Sequence, residues 1–249
     1  MNWILLRGLS RHALHWGSFT EELRAHCEGE VLALDLPGFG SASKNKSPLS
    51  VGGIVEHLRR QFLKEHDPKK SWNLLGLSFG GMVALEWLSL YPEDFNAGAI
   101  MNSSLAGICP MSERISGRGK WLLLKCLLKP SPIEKESLIL ALTSREHVAD
   151  SALLKNWETI EIDHPTRITE ALKQLLISSR YKGPKNLIPP LLVLSSQKDQ
   201  LVNPNCSLKI AQKYGAVHWI HPEAGHDLPL DAPQWVIEKI SLFANSHGA

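Results

Sequence analysis

Over the first 100 residues, short continuously apolar runs alternate with stretches of helical periodicity, and few architectures accept that order. WILL (3–6), VLALDL (31–36), WNLLGL (72–77) and AGAIMN (97–102) read as strands. Between them, FTEELRAHC (19–27), VGGIVEHLRRQFLKEH (51–66) and MVALEWLSLY (82–91) read as helices, the second with Ile54, Leu58 and Phe62 on one face. A strand without polar alternation is covered on both faces, which in strand–helix order means a parallel sheet between helical layers.

The pattern changes at about residue 104. Helical periodicity dominates to about residue 180, in WLLLKCLLK (121–129), KESLILAL (135–142) and ITEALKQLLI (168–177). After Pro189 and Pro190 the sheet pattern returns in LLVLSS (191–196), the helix CSLKIAQKY (206–214), the strand VHWIH (217–221) and the closing helix WVIEKISLFA (235–244). The expected fold is thus α/β, a mostly parallel sheet of about six strands flanked by helices. Residues 1–103 and 186–249 make its core, and 104–185 a helical lid over a site, the alternative being a purely structural excursion.

Composition narrows the function. The 249 residues suit one large domain, and 43% hydrophobic content is that of an ordinary globular protein. A net charge of +2 gives no polyelectrolyte signal, so nucleic acid is not an expected partner. Cys27, Cys109, Cys126 and Cys206 have no metal-ligand spacing and read as reduced thiols. WILL is too short for the apolar region of a signal peptide, and no run approaches a membrane span. A cytoplasmic location without stable membrane insertion is the expectation.

Gly76-Leu77-Ser78-Phe79-Gly80 matches G-x-S-x-G at a strand-to-helix junction. There a serine can stand clear on a sharp turn, and the following helix aims its unpaired N–H groups at the same spot. A nucleophilic serine needs a base and an orienting acid. Of eleven histidines, His226 follows a glycine in the loop after VHWIH. His57 and His66 belong to a charged helix, His12 and His15 to the first loop, and His218 and His221 to the strand itself. Asp199, just past LLVLSS, is the candidate acid; Asp227, adjoining the histidine, and Asp163, in the helical block, are rivals. Ser78, Asp199 and His226 then leave the ends of three strands on one sheet edge, where open α/β sheets place their sites.

With DLPGFG (35–40), GLSFGG (76–81), KDQLV (198–202) and AGHD (224–227) in this order, nearly the whole chain resembles the α/β-hydrolase superfamily. Within it, the compactness and the DLPGFG pattern loosely resemble small esterases of the pimeloyl-acyl-carrier-protein methyl ester type. The resemblance implies a serine carboxylesterase with an acyl-enzyme intermediate, an oxyanion hole from the backbone N–H groups of Leu9 and Phe79, and no metal or other cofactor. It implies a small or medium acyl ester, with a carrier-protein-linked or carboxylated one as a candidate. Transferase, lyase or carbon–carbon hydrolase chemistry, or a non-catalytic binding protein of the same fold, are the alternatives.

Two departures from the family pattern stand out. The usual N-terminal hairpin is missing, which leaves VLALDL as an edge strand to be covered by a helix or by a second copy in a homodimer. The loop that normally reads His-Gly reads Arg7-Gly8-Leu9. Arg7 either braces that loop or, with Arg11, meets an anionic substrate group. Arg114, Arg118, Lys120, Lys125 and Lys129 beside an apolar stripe are either a solvated helix face or a basic rim for an acidic carrier.

Overall fold

A computed structural model describes residues 1–67, 70–128 and 131–247. The strands are β1 (Asn2–Leu6), β2 (Val31–Leu34), β3 (Trp72–Leu77), β4 (Ala97–Met101), β5 (Leu191–Ser196) and β6 (Val217–His221). All neighbouring pairs are parallel, in the order β2-β1-β3-β4-β5-β6. The helices are α1 (Phe19–Cys27), α2 (Val51–Glu65), α3 (Phe79–Leu90), α4 (Met111–Arg114), α5 (Gly117–Leu127), α6 (Pro132–Thr143), α7 (Ser151–Asp163), α8 (Ile168–Arg180), α9 (Asn205–Tyr214), α10 (Leu228–Asp231) and α11 (Pro233–Asn245).

The continuous apolar runs are explained by two cores, one on each sheet face. In β1, Ile4 and Leu6 join the core formed with α2, α3 and α9, whereas Trp3 and Leu5 join that formed with α1 and α11. Successive side chains point to opposite faces, so a strand covered twice is apolar at most of its positions. Each large aliphatic side chain removed from water contributes about 1.5–3 kcal/mol.

The chain runs outward from β1 to β2 by α1, then returns by α2 on the other face to β3 on the far side of β1. That reversal opens a crevice beyond the carboxyl ends of β1 and β3, where ligands bind in open α/β sheets. Residues 7–9 and Ser78 leave the sheet there. As anticipated, β2 is an edge strand; α1 and the Ala13–Trp16 turn pack against it.

Several boundaries differ from the sequence expectation by a few residues, and two of the differences bear on the site. β2 ends at Leu34 because the Asp35 carboxylate turns back to accept from Ala13 N (2.6 Å) and Ser41 N (2.8 Å). Helix α3 begins at Phe79, three residues before the predicted start, because its first turn is the elbow itself. The five helices α4–α8 lie between β4 and β5 in the chain, and α7 among them was not anticipated. Trp157 and Ile160 of α7 are buried with Leu140 of α6. Among the described residues, no helix is long and apolar enough to cross a membrane.

Candidate active site

Ser78 stands at φ 57°, ψ −115°, a strained conformation for a residue with a side chain. Neighbouring backbone leaves no alternative. A Cβ on Gly76 would lie 2.4 Å from Gly80 O, and one on Gly80 would lie 2.2 Å from Leu6 O. Strand β3, helix α3 and strand β1 therefore meet backbone to backbone, and the turn between them is forced. Ser78 N donates to Met101 O (2.8 Å), and Ser103 Oγ donates to Ser78 O (2.9 Å).

On the far side of the crevice, His226 Nδ1 and Asp199 Oδ2 are 2.7 Å apart, both side chains buried. The other carboxylate oxygen accepts from Leu201 N (2.8 Å) and Val202 N (3.0 Å), which fixes its plane. A carboxylate at Nδ1 holds the proton there and leaves Nε2 of the neutral ring as a base. Ser78 and His226 line one cavity of about 470 Å³. Its core-side wall includes Gly8, Leu9, Leu77 and Phe79, and its far wall comes from α4–α8. A Cβ on Gly8 would sit 3.3 Å from Ser78 Cβ, so the 7–9 loop runs directly alongside the serine. The Leu9 N–H makes no hydrogen bond among the described residues, and that of Phe79 precedes the ladder of α3.

Asn102 carries a role that sequence reasoning missed. At φ 46° and fully buried, it donates through Nδ2 to His226 O (2.8 Å) and Ser196 Oγ (3.0 Å) and accepts at Oδ1 from Ser196 N (2.9 Å). It thereby ties the ends of β4 and β5 to the histidine loop. Its only sequence signal is a polar residue ending an apolar strand, which many loops share.

The two rival acids are otherwise placed. Asp163 is exposed at the end of α7. Asp227 receives Arg7 Nη1 (3.0 Å) and Nη2 (2.5 Å) in a buried bidentate pair, while the Arg7 guanidinium lies 4.9 Å over the Trp16 ring. Arg7 thus braces the loop after β1 against the loop that carries His226.

Arg11 also lines the cavity and pairs with buried Glu136 at 2.6 Å. Arg114, another wall residue, donates to Ser178 O and Ser179 O (2.7 Å), carbonyls at the C-terminus of α8, where a cation also suits the helix dipole. Arg118 is exposed, bonds Gln200 Oε1 at 2.5 Å and does not line the cavity. Lys125 lies 3.7 Å over the Trp121 ring, Lys120 is exposed, and Lys129 falls outside the described residues. The structure therefore brings Ser78, His226, Leu9, Phe79, Arg7, Arg11 and Arg114 to one cavity, with Asp199 behind the histidine, and leaves Arg118 outside.

A second serine–histidine contact, Ser195 Oγ to His218 Nε2 at 2.8 Å, lies between β5 and β6 and faces no part of the cavity. Burial lowers the pKa of His218. His15 is held well below the usual histidine value, first by burial and then by the charges of Arg11 and Arg7. Among the described residues, one group has metal-ligand chemistry: Cys109, Glu113 and Cys206, with donor atoms within 4.8 Å of one another. Burial pushes both thiols up, which keeps them protonated, and Glu113 is already bonded to Lys209 at 2.7 Å. The two cysteines form a small core with Val202 behind the acid loop.

Comparison with known proteins bears out the fold. The alpha/beta hydrolase family model matches residues 3–239, and the chain belongs to that family. It is 27% identical to the alpha/beta hydrolase domain-containing protein VTE7 of Arabidopsis thaliana, over 97% of this chain and 73% of that protein. It is 30% identical to the human monoacylglycerol lipase ABHD6 over 140 residues, 55% of this chain and 38% of the human protein. Among solved structures, the enol-lactonase from Burkholderia xenovorans LB400 superposes with a TM-score of 0.78 at 16% identity, over 98% of this chain and 91% of that one. The esterase RhEst1 from Rhodococcus sp. ECU1013 gives 0.73 at 18% identity, over 99% and 91%. At such identities the structural likeness is one of fold.

Proposed function

We propose that the protein is a serine hydrolase that cleaves a carboxylic ester through an acyl-enzyme. The observation that carries this reading is the 2.7 Å contact between His226 and Asp199 on the same cavity as a serine held at positive φ. Ser78 Oγ attacks the ester carbonyl while His226 Nε2 takes its proton. Asp199 keeps the imidazole in the right tautomer and stabilises the imidazolium. The N–H groups of Leu9 and Phe79 receive the oxyanion. His226 then returns the proton to the leaving alcohol, and a water activated by the same base releases the acid.

The substrate in this reading is a freestanding small-molecule ester with an apolar acyl group of small or medium length. A cavity of about 470 Å³ with leucine, isoleucine and methionine on its walls suits such a chain. An ester presented on an acidic carrier protein is less favoured, because Arg114 is committed to backbone carbonyls and Arg118 to Gln200. The human relative's name, monoacylglycerol lipase, points to the same class of bond.

The test is fluorophosphonate labelling of wild type, Ser78→Ala and His226→Ala, followed by turnover of p-nitrophenyl esters of increasing chain length. We expect labelling in wild type alone, and hydrolysis that improves from acetate towards hexanoate. A folded wild type that resists the probe and every ester would leave a binding protein on a hydrolase frame.

A further inference from the structure

We infer that the cavity contains a subsite for a carboxylate that the substrate carries apart from its ester, formed by Arg114 and Ser104. The inference deepens the ester-hydrolase reading above, because it adds a charge requirement to the substrate cleaved at Ser78.

Arg114 ends α4 and lines the cavity, and its guanidinium bonds to three residues that line it too. Nε donates to Ser104 Oγ at 3.4 Å, Nη1 to Ser179 O at 2.7 Å, and Nη2 to Ser178 O. At 8% exposed, Arg114 lies too deep to meet a protein surface, and a ligand reaches it through the cavity. Each terminal nitrogen carries a second N–H, and neither of these has an acceptor among the described residues. The Ser104 hydroxyl, also on the wall, accepts from Nε and donates to none of the described residues.

The other charged side chains of the wall have their counter-charges. Arg7 pairs with Asp227, Arg11 with Glu136, and Lys135 with Glu161 at 2.7 Å, while His226 meets Asp199. Arg114 has no carboxylate partner among the described residues, since the adjacent Glu113 is bonded to Lys209 at 2.7 Å. Burial lowers the pKa of Arg114, and the groups that oppose the drop are the thiols of Cys206 and Cys109 rather than a carboxylate. The C-terminus of α8 supplies only about half a unit of negative charge, so it seats the guanidinium without cancelling it. A buried ion without a partner is costly, and the chain keeps this one on the cavity wall.

Hydrogen bonding and charge together select the ligand group. The free N–H groups and the hydroxyl all offer hydrogens, so the group that fits them is an acceptor. One unmatched positive charge calls for one negative charge. A carboxylate supplies it, whereas a phosphate monoester, with a charge of about −1.5 to −2 near pH 7, exceeds it. A carboxylate also matches a guanidinium in plane and in the spacing of its two oxygens. The apolar wall formed by Ile139, Leu142, Leu172 and Leu175 is left for the hydrocarbon part of the substrate.

The test compares monoethyl adipate with its carboxamide, and γ-acetoxybutyrate with its carboxamide. The first pair carries the carboxylate on the acyl half and the second on the alcohol half, and each amide keeps the shape without the charge. Binding is measured calorimetrically to Ser78→Ala, so that the subsite is read whether or not Ser78 turns over esters; labelling and turnover of wild type report on the hydrolase reading separately. We expect the carboxylate to bind at least about tenfold tighter than the amide in one of the pairs, which also identifies the half that carries it. Adding Arg114→Gln, with folding checked by circular dichroism, should bring that ratio down towards one and leave amide binding unchanged. Ser104→Ala, which keeps the guanidinium and its carbonyls, should cut the ratio severalfold, and it decides in place of Arg114→Gln if that variant does not fold. A ratio near one in both pairs, or one that survives loss of the Arg114 charge, would overturn the subsite and assign the free N–H groups to water.

Discussion

Asp227 adjoins the candidate base yet serves a different partner. Its carboxylate is fully occupied by Arg7, so Asp227→Asn should leave a buried guanidinium without its counter-charge. Removing one member of such a pair costs about 3–5 kcal/mol, whereas replacing both by apolar groups is often neutral. Urea denaturation should therefore find Asp227→Asn much less stable than wild type, and Arg7→Met combined with Asp227→Leu close to it. Equal losses in the single and double variants would show that the pair is not what holds these loops. Nothing local in the sequence signals this contact, because its members are 220 residues apart. The same holds for Arg11 and Glu136, 125 apart. Ser78, His226 and Asp199 were legible because each sits just beyond a recognisable strand, in an order that the chemistry itself constrains. Arg7, Arg11 and Asp227 were visible as residues, but the pairing of Arg7 with Asp227 and of Arg11 with Glu136 was not.

At the level of elements, the elbow depends on three backbones in contact. Gly80→Ala would drive a methyl group to 2.2 Å from Leu6 O, so α3 would have to part from β1. Overpacking costs typically 1–3 kcal/mol even where side chains can yield, and here only backbone is available. Gly80→Ala should lower the thermal midpoint by several degrees at least and abolish probe labelling of Ser78. Normal labelling would mean that the turn tolerates displacement. Strands β3, β5 and β6 were read from sequence without error, since an apolar run between turn residues has few other uses. Helix α7 was not, although Leu153, Trp157 and Ile160 recur at helical spacing. Its partners, α6 and the cavity wall, come from other parts of the chain, and only they show which face is buried.

For the molecule as a whole, acid sensitivity follows from His15. Its pKa in the folded protein lies well below the ordinary histidine value of about 6.5, so below about pH 6.5 the unfolded chain binds a proton that the folded one refuses. The unfolded state then carries more protons, and stability rises with pH through that window. Urea midpoints should fall between pH 8 and pH 5.5, and fall less in His15→Asn, which keeps an acceptor for the His12 N–H but cannot titrate there. Burial lowers the pKa of His12 and His218 as well, so part of the slope should remain in that variant. An unchanged slope would remove His15 from the account.

The Arg7–Asp227 pair also has a consequence for how the protein is made. Synthesis proceeds from the N-terminus, at roughly 5–20 residues per second, and early segments collapse before late ones exist. Strand β1 and the turn after it emerge first, carrying a guanidinium destined for a dry interior. Its counter-charge leaves the ribosome only after 220 further residues. A nascent chain truncated at residue 226 would hold every residue assigned to the chemistry and still lack the anion that lets Arg7 be buried. Ribosome-arrested chains ending before residue 227 should therefore remain protease-sensitive around β1, and resistance should appear once Asp227 has cleared the exit tunnel.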